Sequence, residues 1–390
     1  MGMVLAVNAG SSSLKFALFD TGEPPPARLR GRVERIGSAS ATLALEGREA
    51  GHVAAPDHAA ALAPVLAALR ERGADVEAVG HRIVHGGPRY LAPTRVSAEL
   101  MAELRRISPF DPEHLPAEIG LIEAFERAMP GVPQVACFDT AFHRDLPPES
   151  RLLPIPRTYA GQGVRRYGFH GLSYAYLTRA LAAEPGGPPA RLVIAHLGNG
   201  ASVAAIRDGR SVDTTMAFTP TAGLPMSRRS GDLDPGLVAY LARTEGMTAD
   251  AFHEMVNTRS GLLGISETSS DVRDLLAREA ADPRAGEALA LFSHAVKKTV
   301  GAYAAALGGL DALVFAGGIG ERAASIRARI CDGLAFLGIE LDAARNAVHA
   351  ATISSGRVTV RVMTTDEEVE IARATRETLG RGSPQGINAQ

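Results

Sequence analysis

Two stretches of this chain share one design, and that repetition limits the folds open to it. Val4-Leu5-Ala6-Val7 runs into Asn8-Ala9-Gly10-Ser11-Ser12-Ser13, and Leu14 to Phe19 returns to Asp20. Leu192-Val193-Ile194-Ala195-His196-Leu197 runs into Gly198-Asn199-Gly200, and the outgoing strand ends at Asp208-Gly209. Gly10 to Asp20 and Gly198 to Asp208 have the same spacing. Each stretch predicts a strand, a tight loop and a second strand. The N–H groups of such a loop form a concavity that suits phosphate, and Lys15 adds a point charge to the first one. Neither loop is a Walker A motif, because the GxxxxGK[ST] spacing is absent and a strand, not a helix, follows. Identity between the copies is low, so the relation is structural. One phosphate-type hairpin in each half predicts a duplicated domain with a nucleotide between the copies.

A chain of 390 residues has room for two or three domains. Strands alternating with helices up to residue 143 predict an α/β sheet with functional residues at strand ends. Helices are expected over 58–72, 97–106 and 117–128, and strands over 76–84 and 134–138. The proline-rich stretch 145–163 reads as an irregular crossing between domains. The expected division is 1–145 and 146–368, with a final helix over 369–390 rejoining the first half. Basic and acidic residues nearly balance, 41 against 43. That argues against bulk electrostatic binding to nucleic acid or to an anionic membrane. Cys137 and Cys331 lie far apart in apolar surroundings and read as buried, reduced thiols. The start shows neither a signal-peptide pattern nor a myristoylation signal, and no apolar run is long enough to span a bilayer, so a cytoplasmic location is expected.

Seven short motifs then occur in order: Asn8 to Lys15, His81 to Gly87, Phe138 to His143, Tyr167 to Gly171, His196 to Gly200, Arg229 to Pro235 and Gly318 to Glu321. Together they resemble the acetate kinase family over nearly the whole chain. The resemblance implies duplicated ribonuclease H-like domains of the actin-like ATPase superfamily, with a nucleotide cleft between them. It also implies ATP-dependent phosphorylation of acetate to acetyl phosphate by direct in-line transfer, Mg2+ (or Mn2+) with ATP or ADP, and a homodimer.

Phosphoryl transfer needs positioning and charge neutralisation more than covalent help. Planar guanidiniums can grip a carboxylate acceptor or a moving phosphoryl by two oxygens at once. Arg82 and Arg229 match the family's arginines for that task. Asp139, after a buried strand, can hold the metal or orient an arginine. By resemblance His170 donates to the phosphoryl in flight, and Asn8 and Glu367 lie near the metal. For the nucleotide the candidates are Asn8, Ser11, Ser13 and Lys15 on one side, and His196, Asn199 and Gly200 on the other. Asp271 and Arg273 match the family's adenosine-side segment, and Gly318, Gly320 and Glu321, where a strand joins a helix, let the backbone approach the nucleotide closely. His81 and His85 have HxxxH spacing, but no third ligand lies at a telling distance, which argues against zinc.

The segment Ser108 to Glu118 departs from the family's His-Asn-Pro-x-Asn pattern. His114 and Pro116 align, while the two asparagines become Leu115 and Glu118. The apolar acyl wall is recoverable as Val84, Phe169 and Pro220. Glu113 and Glu118 bring negative charge towards the acceptor end, and the expectation is that they point away or pair with Arg228. Closure of the halves is expected about 145–163 and near Glu368. Two alternatives stay open: a kinase for propionate, butyrate or another small acceptor, and a non-catalytic nucleotide-gated protein of the same superfamily.

Overall fold

Strand β1 (Met3–Ala9) is buried on both faces, and the alternation of its side chains feeds two separate cores. Residues 2–10, 12–20 and 26–380 are described in the computed structural model. Contacts divide the chain into two units. One comprises the residues up to Ala141, Gly171–Tyr176 and the residues from Asp366; the other comprises Phe142–His170 and Leu177–Thr365.

In the first unit, β1 is joined by β2 (Ser13–Phe19), β3 (Ala27–Glu34), β4 (Thr42–Leu45), β5 (Gly51–His52), β6 (Val76–Ile83), β7 (Thr94–Arg95) and β8 (Gln134–Phe138). Their order in the sheet is β5-β4-β3-β2-β1-β6-β8-β7. Leu5, Val7 and Ala9 face a core that includes α1 (Leu62–Glu71) and α3 (Leu115–Ala128); α2 (Ala98–Ile107) packs on α3. Val4 and Ala6 face the other way, onto Val369, Ile371 and Ala372 of the C-terminal helix, Glu367–Gly380. Asp366 caps that helix by accepting from the Val369 amide at 3.0 Å, and Arg30 reaches the same carboxylate at 2.6 Å. Gly80 lets the helix lie directly on β6. A Cβ there would press into Thr375 Oγ1 and come within 2.6 Å of Ile371 Cγ2. Cys137 is buried beneath the same helix, where burial pushes its thiol up to about 12.

The second unit carries α4 (Pro148–Arg151), α5 (Arg157–Gly161) and α6 (Gly171–Ala182), the last beginning in the first unit. Its sheet contains β9 (Arg191–Leu197), β10 (Ala201–Arg207), β11 (Arg210–Thr214), β12 (Ala312–Ala316) and β13 (Thr359–Val362), ordered β11-β10-β9-β12-β13. Between β11 and β12 run α7 (Gly236–Glu245), α8 (Ala249–Thr258), α9 (Gly261–Ser266), α10 (Val272–Arg278) and the long α11 (Pro283–Leu307). Asp282 caps α11, proline occupies its first turn, and Gly308 ends it at φ 71°. After β12 come α12 (Gly317–Arg322), α13 (Ala324–Cys331) and α14 (Ala343–Ala347).

The core of the first sheet, β3-β2-β1-β6-β8, has the same order and sense as the whole of the second. In each, three antiparallel strands are followed by two parallel ones. This is the duplicated ribonuclease H-like α/β fold of actin-like ATPases. The stretch 145–163 is not wholly irregular, because it contains α4 and α5. The helix expected from residue 58 begins at Leu62, since Asp57 caps a preceding turn through the Ala60 amide at 2.7 Å. Among the described residues no helix is long and apolar enough to cross a membrane.

Replacing Gly80 by alanine should destabilise the first unit by about 1–3 kcal/mol through overpacking. Chemical denaturation checks this, and an unchanged midpoint would show that the C-terminal helix does not need so close an approach.

Candidate active site

The two hairpins form, but their loops differ by one residue. In the first, Ala9 pairs with Leu14 across residues 10–13, and the Gly10 amide donates to Ser13 O at 2.8 Å. In the second, Leu197 pairs with Ala201 across residues 198–200, and the Gly198 amide donates to Gly200 O at 3.0 Å. Ser11 lies outside the described residues. Ser13 and Lys15 stand on β2, with Lys15 exposed and opposite Asn8. His58, which the sequence placed on a helix, instead braces the first loop, its Nε2 lying 2.7 Å from Gly10 O.

Asn8 is buried at the end of β1 and meets the start of the C-terminal helix. Its Nδ2 donates to Glu367 Oε2 at 2.8 Å and to Glu368 Oε1 at 3.0 Å. Burial, and then the neighbouring Glu367, raise the Glu368 carboxyl above its usual range; Lys15 and Asn8 pull it the other way. The helix N-terminus favours acidic residues in this turn.

Arg82 ends β6 and is joined to Asp139, just beyond β8. Nε and Nη2 donate to Asp139 Oδ2 at 2.9 and 2.6 Å, and Nη1 donates to Ala9 O at 2.8 Å. The Arg82 side chain is 15% exposed, whereas that of Asp139 is 1% exposed. Burial opposes the charge on Arg82, but Asp139, Glu367 and Glu118 outweigh it and hold the guanidinium protonated. Burial raises the Asp139 carboxyl, Arg82 opposes that, and Glu367 adds to it. Asp139 Oδ1 is buried without a hydrogen-bond partner.

That unpartnered oxygen and the neighbouring Glu367 carboxylate fit a small hard cation, which takes oxygen ligands and shares them with substrate phosphates. Among the described residues no three His, Cys, Asp or Glu side chains converge into an all-protein metal cage. A site of one or two carboxylates completed by phosphate needs none.

Glu118 does not point away. It is buried on α3, its Oε2 accepts from the Val84 amide at 2.9 Å, and its Oε1 lies 3.9 Å from Arg82 Nη1. Glu113 is exposed, as expected. His114 Nδ1 and Asp111 Oδ1 are hydrogen-bonded at 2.8 Å just before α3. His81 bonds Gln134 and sits edge-on to Phe125, while His85 Nδ1 accepts from the Gly87 amide. Both serve the local scaffold.

In the second unit, His170, His196, Gly200 and Arg229 converge. His170 has φ 59°, an uncommon conformation for a residue with a side chain. Its ring stacks on His196 at 4.3 Å, and its Nδ1 is 2.8 Å from Ser202 Oγ. A Cβ on Gly200 would sit 3.2 Å from His170 Nε2 and 3.7 Å from Arg229 Nη1. Arg229 Nη1 donates to Pro220 O at 3.2 Å. The Asn199 carbonyl accepts from the Ser227 amide at 3.2 Å, tying the loop to the Arg229 segment. His143 holds the turn before His170, with Nδ1 2.7 Å from Ser211 Oγ and Nε2 3.1 Å from Phe169 O. Gly168 precedes it at φ 75°, where a Cβ would come within 2.5 Å of the His143 ring.

The remaining nucleotide candidates are more scattered. Asp271 caps α10 and pairs with Arg273 at 2.6 Å, an exposed ion pair that closes on itself. Gly318, Gly320 and Glu321 lie within α12. The close approach there belongs to Gly317, at φ 74°, where a Cβ would lie 2.7 Å from Leu197 O. Arg327, fully buried and unforeseen, braces this segment. It donates to Gly320 O and Glu321 O at 2.8 and 2.9 Å, and to Asn346 Oδ1, Asn346 O and His349 Nδ1.

Two ribonuclease H-like units, each with a phosphate-type hairpin and a guanidinium beside it, define a phosphotransferase of the actin-like ATPase class. The model of the acetokinase family matches residues 3–373, and the chain belongs to that family. It is 44% identical to an acetate kinase of Bacillus subtilis (strain 168), over 96% of this chain and 98% of the relative. It is also 44% identical to a propionate kinase of Citrobacter rodentium (strain ICC168), over 95% of each. The crystal structure of Porphyromonas gingivalis acetate kinase superposes with a TM-score of 0.88 at 36% identity, over 97% of this chain and 100% of that one.

Burial lowers His81 and His143 to about 4, so both rings should stay neutral across the physiological range. The unfolded chain then takes up protons first as pH falls below the ordinary histidine value near 6.5, and these two groups withdraw stability as pH drops towards 4. Imidazole NMR shifts that titrate near the ordinary value would place either ring in water instead.

Proposed function

We infer that this chain is an acetate kinase, moving the γ-phosphoryl of ATP to an acetate oxygen and running in reverse from acetyl phosphate and ADP. In the forward step an acetate oxygen forms a bond to the γ-phosphorus as the bond to the β,γ-bridging oxygen breaks, and ADP leaves with that electron pair. Family membership over residues 3–373 carries this reading. The retention of Arg82 and Arg229, each beside a phosphate-type loop, supports a catalytic rather than a purely nucleotide-gated protein.

In this reading Arg82 and Arg229 meet the acceptor carboxylate and the transferring phosphoryl. Asp139 keeps the Arg82 guanidinium in one orientation, so the donor geometry is set before substrate arrives. Ser202 and His196 fix the His170 ring, and His170 Nε2 faces the second loop, where it can donate to a phosphoryl oxygen. Asn8, Ser13 and Lys15 serve the phosphates from the first unit, and His196, Asn199 and Gly200 from the second. Asp139 and Glu367, with Asn8 beside them, would hold Mg2+ (or Mn2+), which supplies neutralisation of phosphate charge. The α12 segment and Asp271–Arg273 take the adenosine side. Val84 in the first unit and Phe169 in the second are both buried, and by resemblance to the family each, like Pro220, would offer an apolar side chain to the acyl group. A cytoplasmic homodimer completes the reading by resemblance to the family.

ATP, Mg2+ and acetate should give ADP and an acyl phosphate trappable as the hydroxamate. Comparing kcat/KM for acetate, propionate and butyrate then ranks the acceptors. Absence of hydroxamate from all three would overturn the reading, and a clear preference for propionate would reassign the acceptor alone. Arg82→Ala and Arg229→Ala should each lower kcat by ~100-fold, or ~3 kcal/mol, while KM for ATP changes little. Near-normal turnover in either variant would remove that arginine from the reacting centre.

A further inference from the structure

Glu118 is the one carboxyl beside Arg82 that the proposed chemistry does not use, and it stands where the family pattern has a neutral asparagine. It is 3% exposed, with one oxygen fixed by the Val84 amide and the other 3.9 Å from Arg82 Nη1 without a hydrogen-bond partner. Arg82 is already engaged by Asp139 and lies in the field of Glu367. An ionised Glu118 is then a further negative charge at the guanidinium that must receive an anionic acceptor. We propose that Glu118 is a specificity-determining residue that makes acceptor binding proton-linked: neutral, it admits a carboxylate to Arg82, and ionised, it opposes one.

The surroundings give this carboxyl its range. Burial lifts it to about 7, with Arg82, the Val84 amide and His114 opposing and Asp111 assisting. Arg82 approaches from β6, and Asp111 and His114 from the segment before α3. His58 and Glu113 line, with Ala9, Gly10 and Glu118, a cavity of about 10 Å³, room for one water-sized group. His114 is bonded to Asp111, so its positive charge, when present, is already matched. A simple carboxylate titrates near ~4 and is ionised throughout the neutral range, so any change in acceptor affinity there must come from the protein.

The inference rests on the carboxylate-kinase reading, and the two fail separately. If no carboxylate yields hydroxamate, that reading fails; if hydroxamate forms but acceptor binding ignores Glu118, only this inference fails. Acceptor KM should rise as pH is raised from 6 to 8.5, approaching about tenfold per unit above neutrality if the ionised form excludes acetate. Glu118→Gln keeps the bond to the Val84 amide and should hold acceptor KM low and nearly flat, with KM for ATP following the parent protein at each pH. An identical acceptor profile in the two proteins overturns the proposal. The unmodified protein supplies a second measurement that needs no variant to fold. Calorimetric titration with acetate in the presence of Mg-ADP, in two buffers of different ionisation enthalpy at pH 7.5, should show uptake of a fraction of a proton per acetate bound. No uptake overturns the proposal as well.

Discussion

The buried pairing of Arg82 with Asp139 is the interaction around which the strand ends of the first unit are arranged. A guanidinium that is 15% exposed and a carboxylate that is 1% exposed are costly to desolvate, and removing either leaves the other uncompensated. The arrangement follows from the sheet. β6 and β8 are parallel neighbours, so Arg82 at the end of one and Asp139 just past the end of the other arrive together. β1, on the other side of β6, brings Ala9 O to the same guanidinium. Three strand ends thus fix one cation, and the charged groups around it are set by the fold rather than by flexible loops.

The second unit solves a related problem with neutral groups. His170 is held by Ser202 and His196, the turn before it by His143, and the turn can form because Gly168 leaves space for that ring. Arg327 works in the same manner behind α12, with its five hydrogen bonds going to carbonyls, an amide oxygen and an imidazole nitrogen. Such a network holds one arrangement because every donor is used, and a half-satisfied one would cost more than an apolar core.

Much of this was legible in the sequence because the signals were periodic or punctuated. Strands of apolar residues entering glycine-rich loops gave the two hairpins, and residues at strand ends gave Arg82 and Asp139. The failures have physical causes. Gly317, Gly318 and Gly320 are poor helix formers, yet they stand in α12: Gly317 enters it at φ 74° against the Leu197 carbonyl, where no Cβ fits, and Arg327 braces the Gly320 carbonyl. Glu118 falls within the helix expected over 117–128, yet its partner was sought in Arg228, whereas Leu115, Glu118, Ile119 and Ile122 lie three and four residues apart on one buried helical face that turns Glu118 to the Val84 amide. Asp271 and Arg273 satisfy each other locally, a contact that a motif cannot reveal. The brace from His58 to Gly10 and that from Arg327 to α12 link distant segments, for which one sequence carries no signal.

The bond between Asn8 and Glu367 has a consequence in time. It joins residues 359 positions apart, one on the first strand and the other on the last described helix. A chain emerging from the ribosome exposes Asn8 long before the carboxylates that it grips, which follow 359 and 360 residues later. The acidic corner of the first unit therefore cannot be assembled until those residues have been made, and closing so long a loop adds to the wait. A partly made chain carries the first phosphate-type loop without Glu367 and Glu368, so this corner gains its full charge only when the C-terminal helix docks.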